Sequence, residues 1–539
     1  MAQINVTGFS SGYLVPGVFL YALYGGGSGS SGSRTRAHCL VGNKIGTAIS
    51  GSAPTLAVAA GTATANTRYF LASAEDAATY FGRGSELHRM ALRFFRQHPT
   101  GTCYAIAVPE SSGSGLARAS ATVTFANAAT GVVTFRLRVA GETIDLPING
   151  SSSSSVAVAT IAEDLCDAVN ARSDSAVTAQ FSSGVATITA KCYGPRGNQL
   201  EFSAAWVSTN GIETPVTDSA IDSGVTTTAQ LSTAGGVLAS GAAGATAEAI
   251  STALGALETQ PYFLALAQND ATALGVLSTW LAAQAAVSVQ NRNQAVVCSK
   301  ASLATAAGLT DDLNNERIQL VWHYNSPTPC DEVAAQVLAA RSIGDVNAGG
   351  TLVGEETDPA ANLDGLQLRD VLVQRASADL PTPTELNSAL GTGLAPLVPT
   401  PGRSSYAALC SSTTTRYLVA GQTNYAVWQT SIVTSVDHVT DGIRRDFAST
   451  FRGFKLASDS ADGAPLKIAN TTTPKLVRSW HFGRLKSYEA AGILRNVDAH
   501  AASLQVIEDP SMAGRLLAEI PAESVPGLHQ LAGNVRQAS

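Results

Sequence analysis

Between residues 261 and 340 the chain alternates short apolar runs with longer amphipathic stretches. Residues 262–267 read Tyr-Phe-Leu-Ala-Leu-Ala without a polar break. Asp270 then stands at an N-cap position, ahead of Leu274, Leu277, Leu281 and Ala285 at helical spacing. Residues 294–298 are a second apolar run, a helix is predicted over 303–314, and residues 318–324 form a third run. Ser326-Pro327-Thr328-Pro329 breaks the chain, and a helix carrying Val333, Val337 and Leu338 opens near Asp331. Apolar runs that do not alternate belong to strands covered on both faces, so this block predicts a parallel sheet flanked by helices.

The same pattern recurs earlier. Residues 37–41 and 103–108 are apolar runs, and between them Ser73 and Ser85 are placed to cap helices over 75–81 and 86–97. Leu87, Met90, Ala91, Phe94 and Phe95 share one face of the second helix. From 111 to 244 the period changes to two. Residues 121–125, 131–139 and 142–146 are alternating or β-branched, a helix is predicted over 156–171, and a hairpin over 177–190. The loop Tyr193-Gly194-Pro195-Arg196-Gly197-Asn198 precedes another strand over 199–206. Gly/Ser-rich flanks mark this stretch as a mainly β domain inserted into the α/β core, to which a helix over 245–258 returns the chain.

Downstream of a Pro-, Gly- and Thr-rich stretch, Thr382 is placed to cap a helix over 383–390. Residues 417–420, 425–428 and 432–436 read as short strands. Residues 439–454 read as an amphipathic helix, with Val439, Ile443, Phe447, Phe451 and Phe454 on one face and Arg444, Arg445 and Arg452 elsewhere. Both termini hold apolar strand-like pieces. Leu14, Val15, Val18 and Phe19 precede a Gly/Ser tract at 25–33, which is a flexible tether by composition. Leu516, Leu517 and Ile520, then Leu528, Leu531 and Val535, flank a Pro-Gly break. An apolar strand on a tether cannot bury itself locally, so it is expected to pair with a sheet edge elsewhere, as in strand addition between subunits.

The division expected is an arm and linker at 1–36, an α/β core at 37–110 and 245–400, an inserted β domain at 111–244, a further core domain at 401–514, and a second arm at 515–539. Charged residues are only 14% of the 539, and mean hydropathy is +0.12. A surface of small, uncharged residues suits a protein packed against its own copies. The net charge of −7 argues against nucleic acid as a partner. Residues 441–500 nevertheless carry ten basic against six acidic side chains, a face suited to an acidic protein partner. No apolar run reaches membrane-spanning length, and no signal peptide is expected. Seven scattered cysteines without metal-ligand spacing predict folding in a reducing cytoplasm. Cys330 and Cys410, in Ser/Thr/Pro-rich surroundings, are the candidates for later cross-links between subunits.

No motif supports catalysis. The one G-x-G-x-x-G, Gly27 to Gly32, lies in the Gly/Ser tract and opens no helix, and neither a P-loop nor a nucleophile elbow is present. The eight histidines show no metal spacing, and His323 reads as a core residue. Arg196, beside Gly194 and Gly197, has the chemistry to hold a phosphate, although a turn is the stronger reading. No enzyme activity, metal or cofactor is expected.

Val15-Pro16-Gly17-Val18, residues 34–42 as the first core strand, the 193–198 loop within an insertion, and the 323–340 strand, Pro-rich loop and helix together resemble the contractile-tail sheath proteins of myovirus-type bacteriophages, most of all the Mu-like branch. The resemblance spans nearly the whole chain. It implies a structural subunit of the virion tail, assembled in the host cytoplasm and stacked as hexameric rings around a tube protein. Baseplate and tail-terminator proteins would be further partners. Contraction would drive the tube through the host envelope while terminal strands donated to neighbouring sheets hold the rings together. It also implies an outward-facing insertion, and on this basis Arg444, Arg445 and Arg452 are assigned to the tube-facing surface. A surface-layer-type shell is the alternative reading, and a nucleotide-using α/β enzyme the third.

Overall fold

The computed structural model describes residues 37–47, 58–109, 115–151, 153–216, 227–232, 236–244, 246–257, 262–343, 367–400, 403–409, 418–419, 422–423, 429–459 and 469–526. The chain opens with β1 (Ala37–Asn43), β2 (Arg68–Leu71), α1 (Ala74–Phe81), α2 (Glu86–Gln97) and β3 (Cys103–Val108). Ser73 caps α1 in a capping box closed by Asp76, and the Ser85 side chain accepts from the His88 amide at 3.1 Å. Every residue of β1 is buried, as expected for a central parallel strand.

Next come β4 (Ser120–Ala126), β5 (Val132–Val139), β6 (Glu142–Asn149), α3 (Val158–Asn170), β7 (Val177–Ser182), β8 (Val185–Ala190), β9 (Phe202–Val207), β10 (Glu213–Pro215) and β11 (Thr228–Leu231). They form two four-stranded antiparallel sheets, ordered β10-β9-β5-β6 and β11-β4-β8-β7. Their inward residues, among them Phe135, Phe202 and Trp206, make a hydrophobic cluster with Ile161, Leu165 and Val169 of α3. The β7–β8 turn uses Ser183 and Gly184 at φ 47° and 88°, the two left-handed positions that let a two-residue hairpin match strand twist. The strand expected from residue 199 begins later. Pro195–Gln199 is a 3₁₀ turn instead, because Pro195 fixes φ for a helical turn.

The chain then runs through α4 (Ala247–Gly255), β12 (Tyr262–Leu266), α5 (Ala271–Ala285), β13 (Gln294–Ser299), α6 (Leu303–Leu313), β14 (Ile318–Trp322) and α7 (Cys330–Ile343). It continues with α8 (Pro383–Gly391), β15 (Leu394–Thr400) and β16 (Arg403–Leu409). The eight-stranded sheet has the order β16-β15-β14-β13-β12-β1-β3-β2. Its six inner strands are parallel, and the edge strands β2 and β16 are antiparallel to their neighbours. The pleat sends alternate residues to opposite layers. Leu40, Phe263, Val296 and Val321 pack with α1, α2 and α7, whereas Cys39, Leu264, Val297 and Leu320 pack with α4, α5, α6 and α8.

The last part comprises a short β17–β18 hairpin (Leu418–Val419, Gln422–Thr423), α9 (Thr430–Thr450) and β19 (Lys455–Leu456). It ends with β20 (Thr471–Thr472), α10 (Pro474–Ala490), β21 (Leu494–Arg495), β22 (Gln505–Glu508), β23 (Leu516–Glu519) and β24 (Glu523–Ser524). The strand expected over 432–436 is helix. Ile432, Val433, Thr434 and Val436 favour strand locally, but the amino-terminal part of the helix is buried on several sides, through Val433, Ser435, Asp437, Val439 and Ile443, and burial outweighs intrinsic propensity. The expected strand over 425–428 lies outside the described residues. Among the described residues no helix is long and apolar enough to cross a membrane.

Candidate assembly interface

In open parallel sheets, ligands bind in the crevice beyond the carboxyl ends of the strands. Here the 3₁₀ turn Pro195–Gln199 fills that place. Gly197 is required there: a Cβ would stand 2.6 Å from the Ala119 methyl. The Gln199 and Asn269 side chains exchange two hydrogen bonds of 3.1 Å just past β12. Lys300, following β13, donates to the Gln199 carbonyl at 2.8 Å and the Ser326 carbonyl at 3.0 Å.

Beneath the turn lies a buried charge network. Arg196 donates to both carboxylate oxygens of Glu86 at 2.9 and 2.7 Å, and the Asn43 amide at the end of β1 donates to the same carboxylate at 2.9 Å. Arg89 bridges Asp331 at 2.8 Å and Glu332 at 2.6 Å, and Arg93 donates to Glu332 at 2.6 Å. Three guanidinium groups thus face three carboxylates. Burial raises the Asp331 carboxyl to about 6 against the pull of Arg89. At Glu332 burial pushes the same way, but Arg93 and Arg89 together outweigh it and hold the carboxyl below its usual range. The remaining cavity has about 30 Å³ and is lined by Glu86, Arg89, Arg196, Cys330 and Asp331 among others, enough for a water-sized molecule. Arg196 is therefore not a phosphate ligand, because its fork is occupied by Glu86.

A second network lies at the amino ends of the strands. Asp437 of α9 is fully buried and accepts from Arg317 at 2.8 and 2.9 Å and from Gln294 at 3.0 Å. Asp441, one turn on, pairs with Arg292, which is 1% exposed. Gln294 opens β13 and Arg317 immediately precedes β14, so α9 is pinned across the strand starts. The sequence reading names Asp331 only as a helix start and Arg196 only as a turn or phosphate residue, and assigns a charged partner to no member of either network. The available signals were Asp437 and Asp441 at i,i+4, Arg89 and Arg93 at i,i+4, and the adjacent Asp331–Glu332, all conspicuous in a chain with so few charges.

The sequence-derived candidates fall as follows. Arg444 is half-buried, Arg445 is exposed with Asp446 at 3.2 Å, and Arg452 is exposed just past the end of α9. They share this end of the helix with aromatic side chains: Phe447 and Phe451 lie 5.7 and 5.6 Å from the Trp480 ring of α10. Phe454 and Leu476 are exposed nearby in sequence, at 39% and 51%. Leu516 and Leu517 lie half-buried in β23, which pairs antiparallel with β22 of the same chain. Ile520 packs against the cluster around Tyr488 and Leu494. Leu14, Val15, Val18, Phe19, Leu528, Leu531 and Val535 lie outside the described residues. Cys330, expected near the surface as a cross-link candidate, is buried behind the 326–329 loop. Its Ser/Thr/Pro-rich neighbours are themselves buried, so polar composition there does not mean exposure. Cys410 lies outside the described residues.

No family model and no curated protein matches the sequence. Among solved structures, the chain is similar to a sheath tail protein from Listeria innocua, at 10% identity and a TM-score of 0.44, covering 92% of this chain and 96% of that one. It is also similar to the helical sheath of the anti-feeding prophage in its contracted state, at 11% identity and a TM-score of 0.43, covering 98% of this chain and all of that one.

Proposed function

We propose that this chain is the repeating subunit of a contractile tail sheath. The observation that carries the reading is the closure of the carboxyl-end crevice by the chain's own 195–199 turn. An α/β sheet whose ligand crevice is riveted shut by Arg196–Glu86 and Gln199–Asn269 serves as a rigid mount rather than an active site. The fixtures lie at opposite ends of that mount. Residues 111–244 attach at the strand ends and α9 at the strand starts, which suits a subunit with one end outward and the other toward a central tube. The resemblance noted in the sequence points the same way.

In this reading residues 37–110 and 245–400 form the core domain, 111–244 the outer inserted domain and 401–514 a domain toward the tube. Segments 1–36 and 527–539 are arms donated to neighbours, whereas residues 516–524, expected in the second arm, stay paired with β22 and β21 of their own chain. Each donated strand adds several main-chain hydrogen bonds, worth about 0.5–1.5 kcal/mol net apiece, so the mesh survives rigid-body motion. The Gly/Ser tract supplies slack as hexameric rings rotate and compact around the tube. Baseplate and terminator proteins bound the stack, the particle is the virion tail, and assembly precedes release from the host cytoplasm. Arg444, Arg445 and Arg452 face the tube.

Expression of the chain alone, followed by negative-stain electron microscopy, tests the proposal. Long tubes with a helical surface lattice are expected. Flat lattices would instead support a surface-layer-type shell, and particles that stay dispersed even with the tube protein present would overturn the assembly reading.

A further inference from the structure

The sequence holds two Asn-Gly pairs, Asn149-Gly150 and Asn210-Gly211, and both lie on the sheet β10-β9-β5-β6. Asn-Gly is prone to spontaneous deamidation, because glycine has no Cβ to keep its backbone nitrogen away from the preceding side-chain amide. Both asparagine side chains are exposed, but the two glycines differ. Gly150 is buried, its N–H donates to the Gly131 carbonyl at 3.0 Å, and a Cβ there would collide with the Ala129 carbonyl. Asn149 is the last residue of β6 and pairs with Val132 of β5. Turning the 149–150 peptide would therefore break sheet pairing and press Gly150 into neighbouring backbone.

Gly211 lies at the tip of the β9–β10 hairpin, exposed, with φ 79°, and a Cβ there would meet no described atom within 4 Å. Its N–H donates to the Ser208 carbonyl at 2.9 Å, a turn bond flanked by exposed Thr209, Asn210 and Ile212. The opposite end of this sheet faces the core. There a Cβ at Gly141 would stand 3.2 Å from the Pro327 carbonyl, and Glu201 accepts from Arg375 at 2.9 Å. The 208–212 tip thus projects away from the core, and opening it disturbs one water-facing turn.

We propose that Asn210 is a site of spontaneous, age-dependent conversion to aspartate and isoaspartate, and that the fold protects Asn149 from the same reaction. The Gly211 nitrogen gives its proton to solvent and attacks the side-chain carbonyl carbon of Asn210. The carbon–nitrogen bond of the side-chain amide breaks, ammonia leaves and a succinimide closes. One water then adds to either ring carbonyl and opens the ring to aspartate or isoaspartate. The sum is amide and water to carboxylate and ammonium, with no oxidant or cofactor. Each event adds a negative charge at the tip, and isoaspartate also adds a methylene to the main chain between β9 and β10. Glu213, which opens β10, is paired with Arg136 and Arg138 of β5, so the lengthened turn loosens a cross-strand clamp.

The test ages the full chain in mildly alkaline buffer and maps its proteolytic peptides by mass spectrometry, with an isoaspartyl methyltransferase as the probe for isoaspartate. Asn210 should convert about tenfold faster than Asn149 or more, because Gly150 must first open locally and Gly211 need not. In urea the two sites should convert at similar rates. Asn210→Gln should remove the signal at 210, since the larger ring forms slowly, and leave Asn149 protected. Hydrogen exchange over 213–215 should rise in the isoaspartate fraction, and unchanged exchange there would overturn the loosening of the clamp. Equal conversion of the two sites in the folded chain, no conversion at Asn210, or a margin that persists in urea would overturn the assignment. The time course of the unsubstituted chain decides the matter even if the glutamine variant fails to fold.

Discussion

Replacing Asp437 with asparagine should release α9 from the core sheet. Asp437 is 0% exposed and receives three donors, two from Arg317 and one from Gln294, while Arg292 lies at 3.9 Å. Asparagine keeps the volume, so no cavity term enters. It removes the carboxylate with which Arg317, 4% exposed, pairs on α9, and it turns an NH₂ group toward a guanidinium. Breaking a buried pair on one side costs about 3–5 kcal/mol, because the surviving charge stays desolvated. The adjacent Arg292–Asp441 pair persists, which places the expectation near the lower end, about 3 kcal/mol. At about 1.4 kcal/mol per decade this is roughly a 100-fold acceleration of amide hydrogen exchange across α9, in the regime where exchange reports opening free energy. Exchange in α3, which lies outside this network, should not change. The double variant Asp437→Leu with Arg317→Met supplies the contrast, since an apolar replacement of the whole pair is often neutral or stabilising. An acceleration below about fivefold in Asp437→Asn, corresponding to less than ~1 kcal/mol, would refute the view that this pair pins α9.

Arg196→Met leaves Glu86 buried with only the Asn43 amide, and should cost about 1–3 kcal/mol and raise protease cleavage within 190–201, read by limited proteolysis. Stability should fall as the solution is acidified. Burial holds His38, His88, His323 and His481 at about 4 in the folded chain, below the unfolded value near 6.5, so unfolding takes up protons between these values. The stabilisation is complete above pH 6.5 and is lost as pH falls toward 4, and a urea midpoint independent of pH over that window would contradict it. Arg444→Glu, Arg445→Glu and Arg452→Glu together should leave the circular dichroism spectrum unchanged while abolishing co-sedimentation with the tube protein. Unaltered co-sedimentation would remove these three residues from the tube-facing surface.

Hydrophobic periodicity by itself determined the α/β core and the change to two-residue alternation after residue 111. Strands such as Ala37–Asn43 and Ile318–Trp322 are buried on both faces, so most positions are apolar, with His38, Asn43 and Gln319 as buried exceptions, and the run is visible in one dimension. Caps are visible for a similar reason: Ser73, Asp270 and Thr382 satisfy amide groups within three residues of themselves. Tertiary structure alone decided the fate of 432–436 and of the charged residues. Ile432 to Val436 favour strand locally, and the burial of Val433, Ser435, Asp437, Val439 and Ile443 round the helix reverses that preference. Arg196 and Glu86 are 110 residues apart, and Arg317 and Asp437 are 120 apart. A charge carries no sequence mark of whether it will meet water or a distant partner, because the Coulomb term depends on separation in space. The closed crevice and the pinned helix therefore appear only once the chain is folded.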